Sequence, residues 1–349
     1  MQLFQSNARA NQCLEKITTA IENNTKNSPA IGLLIIKDGK TLYKKANGLT
    51  DIENQIQATN QTPMSLCSMT KQFTAAAILK LQEDGKLNIN DNINKYIDWL
   101  PEYAKNIKIS NLIFHNSGIS DYNNDNRSLK NISPEEGLKV RLVIDNEFIK
   151  NYIMTTKPKF NVGEKYSYSN SGYWLLARII EKASGQSYSE YINDIIFKKI
   201  EAKNSYVNFN TSGVLEAQPY QTWPLYEKLP NIFSTVSIDS DGDGGIFMSL
   251  DDFEKYINKV FLGGKIFNNK KTYQKFMLKE FEESKGKYYG FGLKHNETTK
   301  YKKIYHDGGT YGYRSNISYY PEKNLVVAMF FGTETFAISA LPEKIVRCF

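Results

Sequence analysis

Residues 31–46 read IGLLIIKDGKTLYKKA: an apolar run over Ile31–Ile36, the pair Asp38-Gly39, then a second strand-like run over Thr41–Ala46. Asp-Gly between two such runs is a strong hairpin signal, because the favoured two-residue turn needs positive φ at both positions. A lone hairpin is marginal in water and needs more strands beside it. The candidates lie at the far end of the chain. Tyr288–Leu293, Lys302–His306, Arg314–Tyr320 and Leu325–Phe331 are short aromatic or apolar runs, and Pro321-Glu322-Lys323-Asn324 supplies a turn between the last two. Strands near both ends predict one sheet closed by distant segments.

The middle of the chain has a helical period. Ser68–Asp84 is amphipathic and stops at Gly85; Asn170–Ser184 stops at Gly185. Ser187 and Glu190 form a capping box before Tyr191 and Ile192, and Ser249 with Asp252 does much the same before Phe253. Leu14, Ile17 and Ile21 give Ser6–Asn23 a helical spacing, and a last helix is expected over much of Phe336–Cys348. Residues 1–63 plus 286–349 therefore read as a sheet-and-helix subdomain, and 64–285 as a mainly helical one, within one unit of 349 residues.

Composition narrows the classes. Hydrophobic residues at 41% and charged residues at 23% allow a sizeable core. The net charge of +7 is spread along the chain without a basic stripe, which speaks against a nucleic-acid partner. No apolar run is long enough for a transmembrane helix. The first twenty residues lack the apolar segment of a signal peptide, so the compartment stays open: periplasmic or extracellular if a leader was removed, otherwise cytoplasmic. Cys13, Cys67 and Cys348 are an odd, scattered set, not a disulfide framework. No CxxC or HExxH spacing offers a metal site, and neither metal nor cofactor is expected. The phosphate-loop, Rossmann and G-x-S-x-G signatures are absent.

Three motifs carry the chemistry. Ser68-Met69-Thr70-Lys71 is S-x-x-K at the start of a predicted helix, which sets the Lys71 amine on the same face as the Ser68 hydroxyl. A serine needs an adjacent base, and a lysine serves if its pKa is lowered. The spacing alone is weak, since Ser284-Lys285-Gly286-Lys287 matches too. Tyr168-Ser169-Asn170 is Y-x-N before a helix, but Y-x-N also begins at Tyr122, Tyr191, Tyr206 and Tyr256. Tyr191 and Tyr256 fall inside amphipathic helices and Tyr206 in a connecting segment, so these three read as structural. His306-Asp307-Gly308-Gly309 lies between strand-like runs, where glycines permit close backbone approach to a ligand.

In combination these motifs, with their surroundings, resemble the serine β-lactamase and penicillin-binding-protein family, particularly its class C-like branch. The likeness runs from about Ile31 to Gly332. It includes SMTKQFTAAAILKLQEDGKLNIND from Ser68, LIFHNSGISDY from Leu112, FNVGEKYSYSNSGYWLLARIIEKASG from Phe160, GDGGIFMSLDDF from Gly242, YGFGL from Tyr289 and HDGGTYGYRS from His306. The resemblance implies an α/β chain of α+β type: an antiparallel sheet flanked by terminal helices, with an inserted all-helical domain and the active site in the cleft between. It implies a serine hydrolase working through an acyl-enzyme on β-lactams, D-Ala-D-Ala-type peptides or small esters, with an acylating sensor of little turnover as the alternative.

Residue by residue, the resemblance makes Ser68 the acylated nucleophile and Lys71 with Tyr168 the proton-transfer pair. Asn170 orients the substrate amide and Lys71. The backbone N–H groups of Ser68 and Gly309 form an oxyanion hole. His306, with Gly308 beside it, occupies the substrate-binding strand where lysine is commoner. A histidine titrates near neutrality, so carboxylate recognition is expected to weaken as pH rises. Val162 replaces a usual proline. His115 resembles a structural element of the family, and Cys67 reads as a packed hydrophobe. Asp239, Asp241, Asp243 and Gly244 imitate a calcium loop, but its twelfth position is Leu250 rather than glutamate. Tyr220, Trp223 and Tyr226 form either a lid over the site or ordinary aromatic packing. The resemblance also packs both terminal helices on one sheet face, which leaves a Cys13–Cys348 bond open.

Overall fold

Asp38 and Gly39 both take positive φ, 52° and 73°. They close a hairpin between β1 (Ile31–Lys37) and β2 (Lys40–Asn47), as the Asp-Gly pair requires. The computed structural model describes residues 2–125, 142–208, 220, 236–238, 241–310, 312–333 and 340–349. Six more strands join the hairpin: β3 (Lys279–Ser284), β4 (Lys287–Gly290), β5 (Lys294–Asn296), β6 (Lys303–Thr310), β7 (Tyr313–Tyr320) and β8 (Leu325–Phe331). The sheet runs β3-β4-β5-β6-β7-β8-β1-β2 with every neighbour antiparallel. β1 and β8 pair from Ile31↔Phe331 to Lys37↔Leu325, so the two ends of the chain meet in mid-sheet.

Four helices position the rest: α1 (Gln2–Thr25), α2 (Thr70–Glu83), α3 (Asn170–Ser184) and α4 (Ala340–Val346). Leu33 and Ile35 on β1 and Val327 and Met329 on β8 pack with Leu14 of α1 and Ile345 of α4. The alternate residues Leu34, Ile36, Ala328 and Phe330 join the larger core around α2 and α3. Burial on both faces makes these strands continuously apolar instead of alternating. Each such aliphatic side chain contributes about 1.5–3 kcal/mol on burial. β2, at the sheet edge, carries Lys40, Lys44 and Lys45, and charged edges discourage pairing with other chains.

The structure corrects several expectations. Tyr288–Leu293 is a hairpin tip, not one strand: Gly290 N donates to Leu293 O at 2.8 Å, and the chain reverses into β5. The 285/286 boundary falls in the β3–β4 turn, so Lys279–Ser284 belongs to the large sheet. The 64–285 part carries small sheets as well, one pairing Met64–Ser65, Ile246–Met248 and Ser205–Val207, which places Tyr206 in a strand. Cys13 and Cys348 form a disulfide with Cα atoms 5.6 Å apart. The scattered cysteine spacing hid it, because sheet closure is what brings residues so distant in sequence together. The last helix is described over Ala340–Val346, and Phe336 to Ser339 lie outside the described residues.

Candidate active site

A single tight turn, Cys67–Met69, leads into α2 and presents a half-buried Ser68. Cys67 is buried at φ 47°, a backbone region that non-glycine residues seldom occupy. β6 lies against this turn. A Cβ on Gly308 would sit 2.5 Å from the Leu66 carbonyl oxygen and 2.8 Å from Cys67 Cβ, so only glycine allows this approach. Ser315 Oγ, opposite Gly308, donates to the same Leu66 carbonyl at 2.7 Å. The neighbouring Gly309 is exposed on β6 and pairs with Arg314.

Lys71 is fully buried on the first turn of α2. Its Nζ donates to Ser68 Oγ at 3.3 Å, to Asn170 Oδ1 at 2.8 Å and to the Asp243 main-chain oxygen at 2.7 Å. Burial pulls its pKa down to about 8, while the nearby Asp243 and Asp121 resist that fall. At neutral pH a measurable fraction of the amine is therefore uncharged.

Asn170 opens α3, whose N-cap Ser169 accepts from Gly172 N. Its amide is oriented from both ends: Oδ1 faces Lys71, and Nδ2 donates to Asp121 Oδ2 at 3.1 Å. Asp121 also accepts from the backbone N–H of Asn123, Asn124 and Asn170, which fixes it in its loop.

Burial holds the Tyr168 phenol well above the usual range, and the Ser68 hydroxyl works against that rise. The Lys71 Nζ lies 4.9 Å from the centre of the Tyr168 ring. His115 holds this segment in place. Its carbonyl accepts from Ser167 N at 2.8 Å, and its Nδ1 accepts from Ser169 N at 3.1 Å. Its ring centre is 4.4 Å from that of Tyr168. Tyr122 is directed elsewhere: its hydroxyl donates to Asp243 Oδ2 at 2.8 Å. Tyr191 and Tyr256 are buried in helical segments, as expected.

His306 requires a correction. It is fully buried, and its pKa lies well below the usual 6.5 because of burial, with Lys294 and Lys71 adding repulsion. Nδ1 is 2.7 Å from the Asp307 carbonyl, which can only accept, so Nδ1 carries the proton. Nε2 then accepts from the Tyr289 hydroxyl at 3.1 Å. The ring is a neutral hydrogen-bonding group across the neutral range, not a titrating cation. A partly buried cation near this ring is Lys294 on β5, with Nζ 5.9 Å from the Tyr168 ring centre and 3.7 Å from Asp307 Oδ2.

Sequence reasoning missed Asp121, Asp243, Tyr289 and Lys294. The first two stand in loops with no period, and only their burial beside Lys71 marks them. The calcium-like stretch is also taken up. Asp241 binds Arg178 at 2.7 Å, Asp243 binds Tyr122, and Asp239 lies outside the described residues. Of the aromatic trio, Tyr220 is buried, its hydroxyl accepting from Ile52 N at 2.7 Å. Trp223 and Tyr226 lie outside the described residues.

This arrangement is the penicillin-binding-protein fold. A penicillin-binding protein from Bacillus halodurans superposes with a TM-score of 0.80 at 21% identity, covering 95% of this chain and 99% of that one. An octameric penicillin-binding-protein homologue from Pyrococcus abyssi gives 0.71 at 26% identity, covering 98% of this chain and 78% of that one. The Beta-lactamase family model matches residues 14–339, and the chain belongs to that family. Among curated relatives, Protein flp of Staphylococcus aureus strain MW2 is 31% identical over 204 residues, 56% of this chain and 38% of that protein. A D-aminopeptidase of Brucella anthropi is 27% identical over 319 residues, 91% of this chain and 58% of the relative. The chain thus spans less than two thirds of the length of these curated relatives.

Proposed function

We propose that the protein is a serine hydrolase that forms an acyl-enzyme at Ser68. The observation that carries this reading is the Lys71 amine. It is buried, 3.3 Å from Ser68 Oγ, and its pKa of about 8 leaves it able to take the serine proton. Ser68 Oγ attacks the substrate carbonyl as its proton passes to Lys71. The backbone N–H groups of Ser68 and Gly309 stabilise the resulting oxyanion. As the C–N or C–O bond to the leaving group breaks, Tyr168 gives that group a proton and regains one from Lys71, whose Nζ lies near its ring; water then releases the acyl chain and returns the proton to Ser68. Asn170 and His306 with Gly308 position the substrate beside β6.

The substrates we favour are D-amino-acid peptides, β-lactams and small esters. Family membership and the D-aminopeptidase relative support this class. A neutral His306, with both ring nitrogens engaged inside the protein, acts on such a substrate by holding the β6 backbone in place beside it. The Cys13–Cys348 bond suits a compartment where thiols oxidise.

The test is intact-mass analysis after exposure to a penicillin, a reporter ester and a fluorophosphonate. One adduct is expected, on Ser68, and none in Ser68→Ala. Labelling that persists in Ser68→Ala removes the mechanism. A burst of product followed by steady turnover marks a hydrolase, whereas a burst with no turnover marks an acylating sensor.

A further inference from the structure

Behind the Ser68–Lys71 pair lies a carboxyl that this mechanism leaves without a task. Asp243 sits in the turn 241–245 and is 5% exposed. Its main-chain oxygen accepts from Lys71 Nζ at 2.7 Å. The carbonyl of the preceding Gly242 accepts from Thr74 Oγ1 at 2.7 Å, one turn further along α2. The turn is thus pinned to the helix that carries the nucleophile. The carboxyl itself receives the Tyr122 hydroxyl on Oδ2 at 2.8 Å, while Oδ1 is buried with no hydrogen-bond partner among the described residues. A buried carboxyl with half its acceptors unmet is costly unless a nearby cation compensates it.

We infer that Asp243 is a positioning residue for Lys71: its main-chain oxygen fixes the amine, and its buried carboxylate supplies the counter-charge that sets how readily the amine holds a proton.

The other groups around Lys71 leave room for this role. Asp121, on the loop before Tyr122, acts in the same direction. Lys294, from β5, opposes it. Cys67 is a thiol whose pKa is pushed up to about 11, so it stays neutral. His115 and His306 are neutral as well, held far below the usual histidine range. Tyr168 and Tyr173 offer ring faces at 4.9 and 5.6 Å. Asp243 and Asp121 are therefore the two negative charges that bear on the amine. Burial raises the Asp243 pKa to about 7, so its charge changes within the working range, whereas the Tyr122 bond favours the ionised form. Protonating Asp243 removes the counter-charge, and Lys71 then releases its proton at lower pH.

The catalytic meaning rests on Lys71 acting as the base for Ser68, but the electrostatic claim can be tested without activity. Protein carrying 13C at the lysine ε-carbon is titrated by NMR, with the Lys71 signal assigned by its loss in Lys71→Met. Wild type should titrate near 8. Asp243→Asn should move that midpoint down by about one to three pH units, the usual effect of losing a close opposite charge. Tyr122→Phe, which leaves the carboxyl in place but neutral over more of the range, should move it in the same direction by less, and it decides alone if Asp243→Asn does not fold. A purely structural role would lower thermal stability and leave the Lys71 midpoint unmoved, and that result overturns the inference. A shifted midpoint without any Ser68 adduct in wild type would sink the hydrolase reading and leave this one standing.

Discussion

Two buried bases flank Tyr168, Lys71 on α2 and His306 on β6. Both lose solvent, and both are pushed toward the neutral form. Their neighbours differ in sign. Lys71 has Asp121 and Asp243 beside it, so part of its charge survives and its pKa stops at about 8. At His306 the cations Lys294 and Lys71 outweigh the bond to the Asp307 carbonyl, and the pKa is held well below the usual histidine value. Burial sets the direction at both sites. The sign of the nearby charge decides which base still titrates in the working range.

The largest break in this comparison comes from Lys71→Met. It should slow acylation of Ser68 by about 10²- to 10⁴-fold, the span of a positioned base, measured by stopped-flow release from a reporter ester. In wild type the acylation rate should rise with pH through about 8, as the amine loses its proton. A rate that falls over that range would mean that the uncharged amine is not the active form.

Lys294→Met tests the cation that stands near His306. The ratio of kcat/KM for an anionic substrate to that for a matched neutral one should drop about fivefold, the worth of a half-exposed charge pair of about 1 kcal/mol. Taking the ratio cancels any change in Lys71 that both substrates share. An unchanged ratio would show that Lys294 does not reach the substrate.

A smaller effect sharpens the histidine side. With the His306 pKa held well below its usual value, the same ratio in wild type should stay flat through the neutral range, where an ordinary histidine titrates. A decline centred there would mean that the imidazole titrates after all. The smallest catalytic effect belongs to the opposite face of the sheet. Cys13→Ser should leave kcat/KM unchanged while lowering stability by about 2–4 kcal/mol, read by denaturant unfolding. The intact protein should show one free thiol on unfolding without reductant, the buried Cys67.

The parts that were legible in the sequence are those with local causes. α3 begins and ends where Ser169 and Gly185 cap it, and the first hairpin closes where Asp38-Gly39 permits. Ser68, Lys71, Tyr168 and Asn170 converge because helix starts place them, and helix starts can be read from spacing. Asp121 and Asp243 were not legible, because a carboxylate in an irregular loop carries no sign of facing a lysine far along the chain. Nor was the state of His306: residue type suggests a titrating ring, but burial and surrounding cations are properties of the packed molecule. Lys294 is one lysine among many until β5 places it beside Tyr168.

The bond between Cys13 and Cys348, whose partners are 335 positions apart in sequence, turns nearly the whole chain into a covalent ring. A protease that cuts one exposed loop anywhere inside that ring opens it but yields no separate fragments. The nicked product stays one covalent molecule, heavier by a single water, until a reductant separates its two pieces. Because β1 and β8 meet in mid-sheet, the two severed arms also remain paired through the central ladder. Nicking should therefore act like circular permutation, moving the chain ends to a surface loop while the cleft stays assembled.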